Sequence, residues 1–156
     1  MRRLFLALLL ASTSMLLSCG GGSSIPATHD LAGLEGIWDY NMVCSGILSG
    51  SGGKIPFNMD VDGIFTITRN SIMDGSESVT WSYDGATLSI TEASNETIWD
   101  PTCGNEYMTG LASIIIPIAP GATLANIGGN MSMDMVTDFC GDATGSFKLS
   151  GTMSRR

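Results

Sequence analysis

Apolar and polar residues alternate along most of the chain from residue 37 onward, and turn residues interrupt this pattern about every ten positions. A period of two places successive side chains on opposite faces of a β-strand. Ile37–Leu48 is the first predicted strand, and Asn130–Asp138 and Ser146–Ser154 are the last two. The residues predicted to face inward in these three strands are Trp38, Tyr40, Met42, Cys44, Met131, Met133, Met135, Phe147, Leu149 and Met153.

Two Asp-Gly pairs are typical of β-hairpin turns. Asp84-Gly85 separates predicted strands 79–83 and 86–91, and Asp62-Gly63 separates predicted strands 55–61 and 64–68. Residues 113–118 form a nearly continuous apolar run that contains Pro117, which indicates an edge position or a bulge. We interpret 94–111 and 119–129 as loops and 31–35 as a single helical turn. About eight strands predict an all-β, antiparallel up-and-down barrel, and the alternative is a β-sandwich.

The N-terminus has the pattern of an export signal. Arg2 and Arg3 precede a mostly apolar run over 4–17, which is shorter than the roughly 20 residues that span a bilayer. Leu16-Leu17-Ser18-Cys19 follows, and then the Gly- and Ser-rich segment 20–24. This pattern predicts a signal peptide at 1–18, a modified Cys19 with a flexible tether at 19–30, and one domain at 31–156. A transmembrane helix or an ordinary secretory signal fits these cues less well.

The Leu-Leu-Ser-Cys segment resembles the lipobox of bacterial lipoproteins. The resemblance implies cleavage before Cys19, a diacylglyceryl thioether on its sulfur, and acylation of its new amine with a fatty acid such as palmitate. Gly20 rather than Asp follows the cysteine. In lipoproteins of the enterobacterial kind this implies transfer to the outer membrane, facing the periplasm. We therefore expect the protein to contact the membrane through the lipid on Cys19.

The chain is acidic, with 7 basic residues against 15 acidic ones and a net charge of −8. Removal of the signal peptide takes away Arg2 and Arg3, which lowers the net charge to −10. A phosphate backbone is bound by clustered Lys and Arg, so we expect no nucleic-acid partner.

Three cysteines remain once Cys19 carries lipid, and an oxidising compartment favours one disulfide among them. Three pairings are open from the sequence. We favour Cys103–Cys140 because both residues lie in Gly-containing turns, whereas Cys44 lies in an apolar strand pattern and is expected to be a buried thiol.

Gly36-Ile37-Trp38 at the start of the first strand resembles the Gly-x-Trp signature of lipocalins and related calycins. Thr137-Asp138-Phe139 is similar to their Thr-Asp-Tyr segment, although one strand rather than two and a helix follows it. The resemblance implies an eight-stranded barrel whose closed end is plugged by Trp38, with Arg155 or Arg156 packed over the indole.

A barrel of about eight strands either holds one small ligand or is filled by side chains. The leading prediction is a non-catalytic envelope lipoprotein that binds a small apolar ligand or lipid. The alternative is a structural or protein-interaction module with a filled barrel. The candidate cavity residues are Trp38, Met42, Met131, Met133 and Met135.

Metal and catalytic sites are weaker interpretations of the same sequence. Spaced methionines suit Cu(I), but an apolar core or cavity face explains them better. Residues 58–63 match the start of a calcium loop, yet Arg69 stands where the closing Glu is required. The single histidine, His29, lies in the tether, and no nucleophile motif accompanies it. We expect no enzyme activity, no metal and no cofactor.

Overall fold

A computed structural model describes residues 29–156, and within that range every regular element is a β-strand. The period-two pattern of burial accounts for this, because most inward side chains form one apolar core, and Ser, Thr and Asn are the commonest of the exposed outward residues. The nine strands are β1 (Gly36–Gly50), β2 (Gly53–Ile67), β3 (Ile72–Asp74), β4 (Glu77–Ser78), β5 (Thr80–Tyr83), β6 (Thr87–Asp100), β7 (Gly104–Pro117), β8 (Leu124–Thr137) and β9 (Ala143–Arg155).

All neighbouring strands are antiparallel and form one sheet in the order β4-β3-β2-β1-β9-β8-β7-β6-β5. β1 pairs along nearly its whole length with both β2 and β9, so the last strand returns to the first. Residues from both ends of this strand order, Ile72 of β3 and Tyr83 of β5 among them, belong to one buried cluster, so the sheet curls into a nearly closed barrel. The predicted all-β antiparallel barrel is confirmed.

The barrel is incomplete along one side. β3 pairs with β2 only at Phe65–Ile67, and β5 pairs with β6 only up to Thr91. The stretches 53–63 of β2 and 92–100 of β6 consequently have no strand partner on their facing edges among the described residues. We call the space between these two edges the slot. Pro56, Asp60 and Asp62 lie on the β2 edge, where a missing N–H and negative charges discourage pairing with another chain.

One end of the barrel is filled, and we call it the closed end. Residues 29–35 cross it, held by hydrogen bonds from His29 N to the Tyr83 carbonyl and from Leu31 N to the Arg69 carbonyl, both 2.9 Å. Instead of a helix, 32–34 form a hydrogen-bonded turn. The fully buried side chains here are Leu31, Leu34, Trp38, Phe65, Ile72, Leu88, Ile116 and Met153.

The opposite end, which we call the mouth, is bounded by three connections. They are the tight β1–β2 turn at 51–52, the β6–β7 turn at 101–103 and the β8–β9 loop at 138–142. The mouth half includes the part of β6 that borders the slot. Every strand that enters it also runs through the closed half, so one set of strands builds both environments.

Two turn predictions had opposite outcomes. The hairpin at Asp84-Gly85 is confirmed, and Gly85 adopts φ 94°, which glycine tolerates best. The hairpin at Asp62-Gly63 is wrong, because β2 continues through both residues opposite Asn41 and Tyr40. A Cβ at Gly63 would lie 2.4 Å from the Tyr40 hydroxyl. This glycine therefore makes room for a tyrosine rather than a turn.

The predicted loops over 94–111 and 119–129 are also wrong for most of their length. β6 and β7 run through the first range and meet at a three-residue turn, and β8 begins within the second. The inward positions of this part of β6 include Glu92, Ser94 and Glu96. Because both faces of β6 are polar there, the alternation that reveals a strand is lost.

Candidate functional site at the mouth of the barrel

The interior changes from filled to solvent-accessible along a single strand. On the inward face of β6, Leu88 and Ile90 are completely buried. Further along the same face, Glu92, Ser94 and Glu96 are each partly exposed. Solvent therefore reaches the interior along the slot edge of β6, whereas the inward residues Glu106, Met108 and Thr137 of β7 and β8 stay buried. The mouth is therefore the candidate binding site.

Trp38 belongs to the closed end and not to the mouth. Its indole Nε1 donates a 2.8 Å hydrogen bond to the Leu34 carbonyl. The guanidinium of Arg155 lies over the ring, 5.8 Å from its centroid, and also donates to the carbonyl of Glu35. Of the two C-terminal arginines, Arg155 rather than Arg156 contacts the indole. Trp38 thus plugs the barrel.

The four candidate methionines all face inward but divide between the two halves. Met42, Met131 and Met133 are buried within the core cluster. Met135 is half-buried and pairs with Met108 and Ala143 near the mouth. The packed surroundings of Met131 and Met133 favour the core interpretation over a copper site. Of the predicted cavity residues, Met135 is the one that reaches the mouth.

Three glutamates that the sequence did not single out face into the mouth half. Glu92 and Glu96 lie on β6, and Glu106 lies on β7. The strand register places Glu96 opposite Met108 and Glu106 opposite Ile98, so carboxyl and apolar groups alternate on the inner wall. Glu106 also pairs with Thr137 on β8.

Burial and neighbouring charges disfavour ionisation of these glutamates. Burial, followed by the negative charges of Asp74 and Glu77, raises the pKa of Glu92 to about 7. Burial also raises the pKa of Glu96 and, with the charge of Asp100, that of Glu106. Neither Oε1 of Glu96 nor Oε2 of Glu106 has a hydrogen-bond donor within the described chain.

Asp74 extends this acidic wall across the slot. It ends β3 and accepts a 3.0 Å hydrogen bond from the hydroxyl of Tyr40. Burial raises the pKa of Asp74, and the Tyr40 hydrogen bond partly opposes that rise. Burial and the charge of Asp74 in turn raise the pKa of Tyr40. The Tyr40–Asp74 pair marks the boundary between the apolar and the acidic interior.

The basic residues of the described chain lie away from the mouth interior. Arg69 pairs with Asp30 at 2.8 Å and Arg156 with Asp39 at 2.6 Å, both near the closed end. The two lysines flank a shallow groove of about 510 Å³ on the outer face of β1 and β9. No described Lys or Arg therefore neutralises Glu92, Glu96 or Glu106.

Asp100, Cys103 and Glu106 bring three ligand-type atoms within 4.8 Å of one another at the rim of the mouth. Cys103, however, forms a disulfide with Cys140, as the turn positions of these two cysteines suggested. Asp100 Oδ1 accepts hydrogen bonds from the amides of Thr102 at 2.7 Å and Cys103 at 3.0 Å. These contacts identify a capped turn and a crosslink, not a metal centre.

The remaining sequence candidates lie outside the mouth. Cys44 is buried and free, and burial raises the pKa of its thiol to about 11. Asp60 and Asp62 are exposed on the outer face of an extended strand, so the segment 58–63 is not a calcium-binding loop. Trp99 and Tyr107 face outward at the rim, where Trp99 is 70% exposed. Cys19 and residues 1–28 lie outside the described residues.

No known protein family matches the chain, and neither a curated protein nor a solved structure shows significant similarity to it. Within residues 29–156 the structure contains no helix with the length and apolar character needed to cross a membrane. The geometry of the mouth is therefore the basis for a functional proposal.

Proposed function

We propose that this protein is an exported, lipid-anchored and non-catalytic binding protein that holds a small, largely apolar ligand in the mouth of its barrel. The observation that carries the proposal is the partly exposed inward face of β6 beyond Ile90. Packed barrels bury inward residues along the whole strand, whereas binding barrels leave one end accessible.

The composition of the mouth supports an apolar ligand body. Phe57 and Met59 of β2 are only partly buried, and Met135 of β8 and Ile98 of β6 are also half-buried. Aromatic and thioether side chains form adaptable walls for small apolar molecules. Phe57 is backed by Phe147, with ring centroids 5.4 Å apart in an edge-to-face arrangement. This contact restricts the orientation of the Phe57 ring in the inner wall.

The proposed lipid at Cys19 would hold the barrel by its closed end. The described chain begins at His29, whose amide bonds to the Tyr83 carbonyl at that end. The described chain therefore enters the barrel at the closed end, and the mouth opens at the other end of the barrel. A ligand can then reach the mouth without passing the membrane anchor.

A blocking substitution tests the proposal. Ser94→Trp places an indole on the inward face of the mouth half, and Ala93→Trp places the same group on the exposed outer face of the same strand. The full chain, extracted and held in phosphatidylcholine nanodiscs, is titrated with the neutral fluorescent probe N-phenyl-1-naphthylamine. Empty nanodiscs provide the blank.

We expect Ser94→Trp to weaken probe binding at least tenfold and Ala93→Trp to leave it unchanged. Native mass spectrometry of the extracted wild-type chain should also show a co-purifying small molecule. Binding that is unaffected by Ser94→Trp, or a wild-type chain that binds no probe, would overturn the proposal.

A protein-interaction module is the second candidate function, and exposed aromatic residues at the rim favour it. Phe139 is 80% exposed and lies against Gly104, and Trp99 and Tyr107 flank the same β6–β7 turn. Aromatic residues are enriched at interfaces. A Trp99→Ala, Phe139→Ala double variant that loses an envelope protein captured by the wild type, while keeping probe binding, would support this candidate.

A further inference from the structure

The slot leaves one edge of β6 without a strand partner. Ile118 N donates a 2.8 Å hydrogen bond to the Ala86 carbonyl, which shows that even-numbered positions in this register bond to β7. Asp84 N donates to the Thr87 carbonyl, so odd-numbered positions bond to β5. Pairing with β5 ends at Thr91, and the odd-numbered residues beyond it direct their N–H and C=O groups into the slot. They are Ala93, Asn95, Thr97 and Trp99.

The facing edge of β2 is protected against pairing, whereas the β6 edge is not. Gly75 N donates to the Ile64 carbonyl, so even-numbered residues of β2 direct their backbone groups toward β3 and the slot. Pro56 is one of these and has no N–H, and Asp60 and Asp62 add negative charge. The exposed outward side chains along 93–99 of β6 are uncharged and include no proline. The β6 edge is therefore the one open to another strand.

The slot is wide enough for such a strand where it begins. In the closed half, β3 and the stretch that contains β4 and β5 lie between β2 and β6. Two intervening strands make three spacings of about 4.8 Å, which sets the two edges about 14 Å apart at that level. Both strands are absent beside 92–100. A strand can therefore lie beside β6 there without displacing β2.

The chemistry of this edge selects a polypeptide as its partner. Its N–H and C=O groups recur at every second residue, which is a repeat of about 6.8 Å. An extended peptide presents acceptors and donors with the same repeat, and strand addition to a free sheet edge is an established mode of recognition. An acyl chain seated against the edge would leave these groups unpaired, at a cost in free energy. The edge therefore fits a peptide strand better than a lipid.

The two faces of the slot restrict the sequence of that strand. Its inward side chains would enter the interior that Phe57 and Met59 face from β2, so apolar residues are favoured at alternate positions. Its outward side chains would meet solvent. The net charge of −8 and the exposed Asp60 and Asp62 disfavour an acidic strand. A neutral or basic segment with alternating apolar and polar residues fits best.

We propose that residues 93–99 of β6 bind an extended, neutral or basic segment of another protein, which joins the sheet as an antiparallel strand. All the described strands of this chain are already paired within its own sheet, so a second copy offers only the same slot edges at the same negative charge. This inference goes beyond the proposed small-ligand function, because it uses the backbone of the barrel wall rather than the barrel interior.

A synthetic peptide tests the inference: acetyl-Lys-Thr-Val-Thr-Val-Thr-Val-Thr-Lys-amide, labelled with fluorescein. Its binding to the full chain in phosphatidylcholine nanodiscs is measured by fluorescence anisotropy, with empty nanodiscs as the blank. In antiparallel addition with the valines inward, the threonine N–H groups point to β6. N-methylation of the two central threonines should weaken binding at least tenfold, and N-methylation of two valines should change it less than twofold. Equal losses, a larger loss for the valine derivative, or no binding of the unmodified peptide would overturn the inference.

Proline substitutions test which edge is used. Thr97→Pro removes an N–H that points into the slot and forms no bond to β7, and we expect it to weaken peptide binding at least tenfold. Asn58→Pro makes the same change on the β2 edge and is the matched control, which should bind as the wild type does. Circular dichroism establishes that each variant is folded. Full binding by folded Thr97→Pro, or an equal loss in Asn58→Pro, would contradict pairing with β6.

Amide hydrogen exchange provides a test on the wild-type chain that needs no variant. With saturating peptide, the amides of Asn95 and Thr97 should exchange at least tenfold more slowly, and those of Asn58 and Asp60 should not change. Absence of protection at β6 would overturn the inference. Sedimentation without peptide adds one more outcome: a dimer that Thr97→Pro dissociates would show that the edge pairs with a second copy instead. Binding of the naphthylamine probe is a separate measurement, so the small-ligand function stands or fails independently.

Discussion

The closed half and the mouth half of this barrel are built from the same strands, but the inward face of β6 differs between them. In the closed half the inward residues are apolar and fully buried, as at Leu88 and Ile90. Two and six residues further along β6 the inward positions are Glu92 and Glu96, which are only partly buried. The change occurs within one strand, without a break in pairing to β7.

This difference separates the source of stability from the proposed source of function. Apolar burial in the closed half supplies the main favourable contribution to folding. The carboxyls of the mouth lack cationic partners in the described chain and oppose folding when they ionise. Binding sites commonly retain such locally unfavourable groups because the ligand compensates them.

The largest expected effect is in the closed half. Trp38→Ala removes a fully buried indole, its hydrogen bond to Leu34 and its contact with Arg155. We expect a loss of about 4 kcal/mol in the free energy of unfolding, measured by urea denaturation. Trp99→Ala, at the exposed rim, is the control and should change stability by less than about 0.5 kcal/mol. Equal losses for the two variants would contradict the division into halves.

The next largest effect is at the rim of the mouth, where the disulfide joins two turns. Cys103 and Cys140 are 37 residues apart, so the bond restricts the unfolded chain. Replacing both with Ser should lower stability by about 3 kcal/mol, measured under non-reducing conditions against the wild type. Adding reductant to the double variant is the control and should have no further effect. A variant as stable as the wild type would show that the crosslink contributes nothing to this half.

Removal of an interior charge should stabilise the mouth half. Glu92 has a pKa of about 7 in the folded protein against 4.5 ordinarily, which corresponds to about 3 kcal/mol, or about 2 after allowance for partial exposure. The folded state binds the extra proton, so stability falls as pH rises from 4.5 to 7 and then levels off. Glu92→Gln should therefore be more stable than the wild type by about 2 kcal/mol at pH 8.

The same advantage should vanish below pH 4.5, where the wild-type carboxyl is protonated in both states. Denaturation curves at pH 4 and pH 8 measure the difference, with Asp134→Asn as the outer-face control. The groups that face Glu92 are Asp74, Glu77 and Tyr40, and they are unchanged in the variant. A stability gain that is equal at both pH values would exclude the charge as its cause.

The smallest expected effect lies at the boundary between the halves. Gly63→Ala would place a methyl group 2.4 Å from the Tyr40 hydroxyl, which also bonds to Asp74. The tyrosine must shift, and we expect a loss of about 1–2 kcal/mol. On a Tyr40→Val background, which lacks the hydroxyl and ring atoms that lie 2.4–2.9 Å from the added methyl group, Gly63→Ala should cost little further stability. No loss in the single variant would show that this contact is not tight.

The sequence was most informative where one face of a strand is apolar. In β1 and β9 the alternation located the strands and their inward residues correctly, from Trp38 to Met153. Cys103 and Cys140 were paired from their turn positions, and the structure contains that bond. Alternation along a strand and turn residues beside a cysteine are both visible in a short stretch of sequence, so they can be recognised without the tertiary structure.

The sequence was least informative in the mouth half. The sequence predicts a loop over 94–111 because β6 is polar on both faces over the first part of that range. Asp62-Gly63 predicts a turn because, in the sequence, a Gly that makes room for a tyrosine on the next strand cannot be told from a Gly that turns the chain. Neither error is visible without the neighbouring strand.

The sequence by itself determined an all-β fold with an apolar core, because alternating burial is a property of consecutive residues, and the tertiary structure decided for a barrel over a sandwich. Only the tertiary structure decided that Glu92, Glu96 and Glu106 lie on the inward faces of β6 and β7. On a strand with two polar faces, the inward side is set by pairing with the next strand, and here Ile90 opposite Ile114 establishes that register from the closed half.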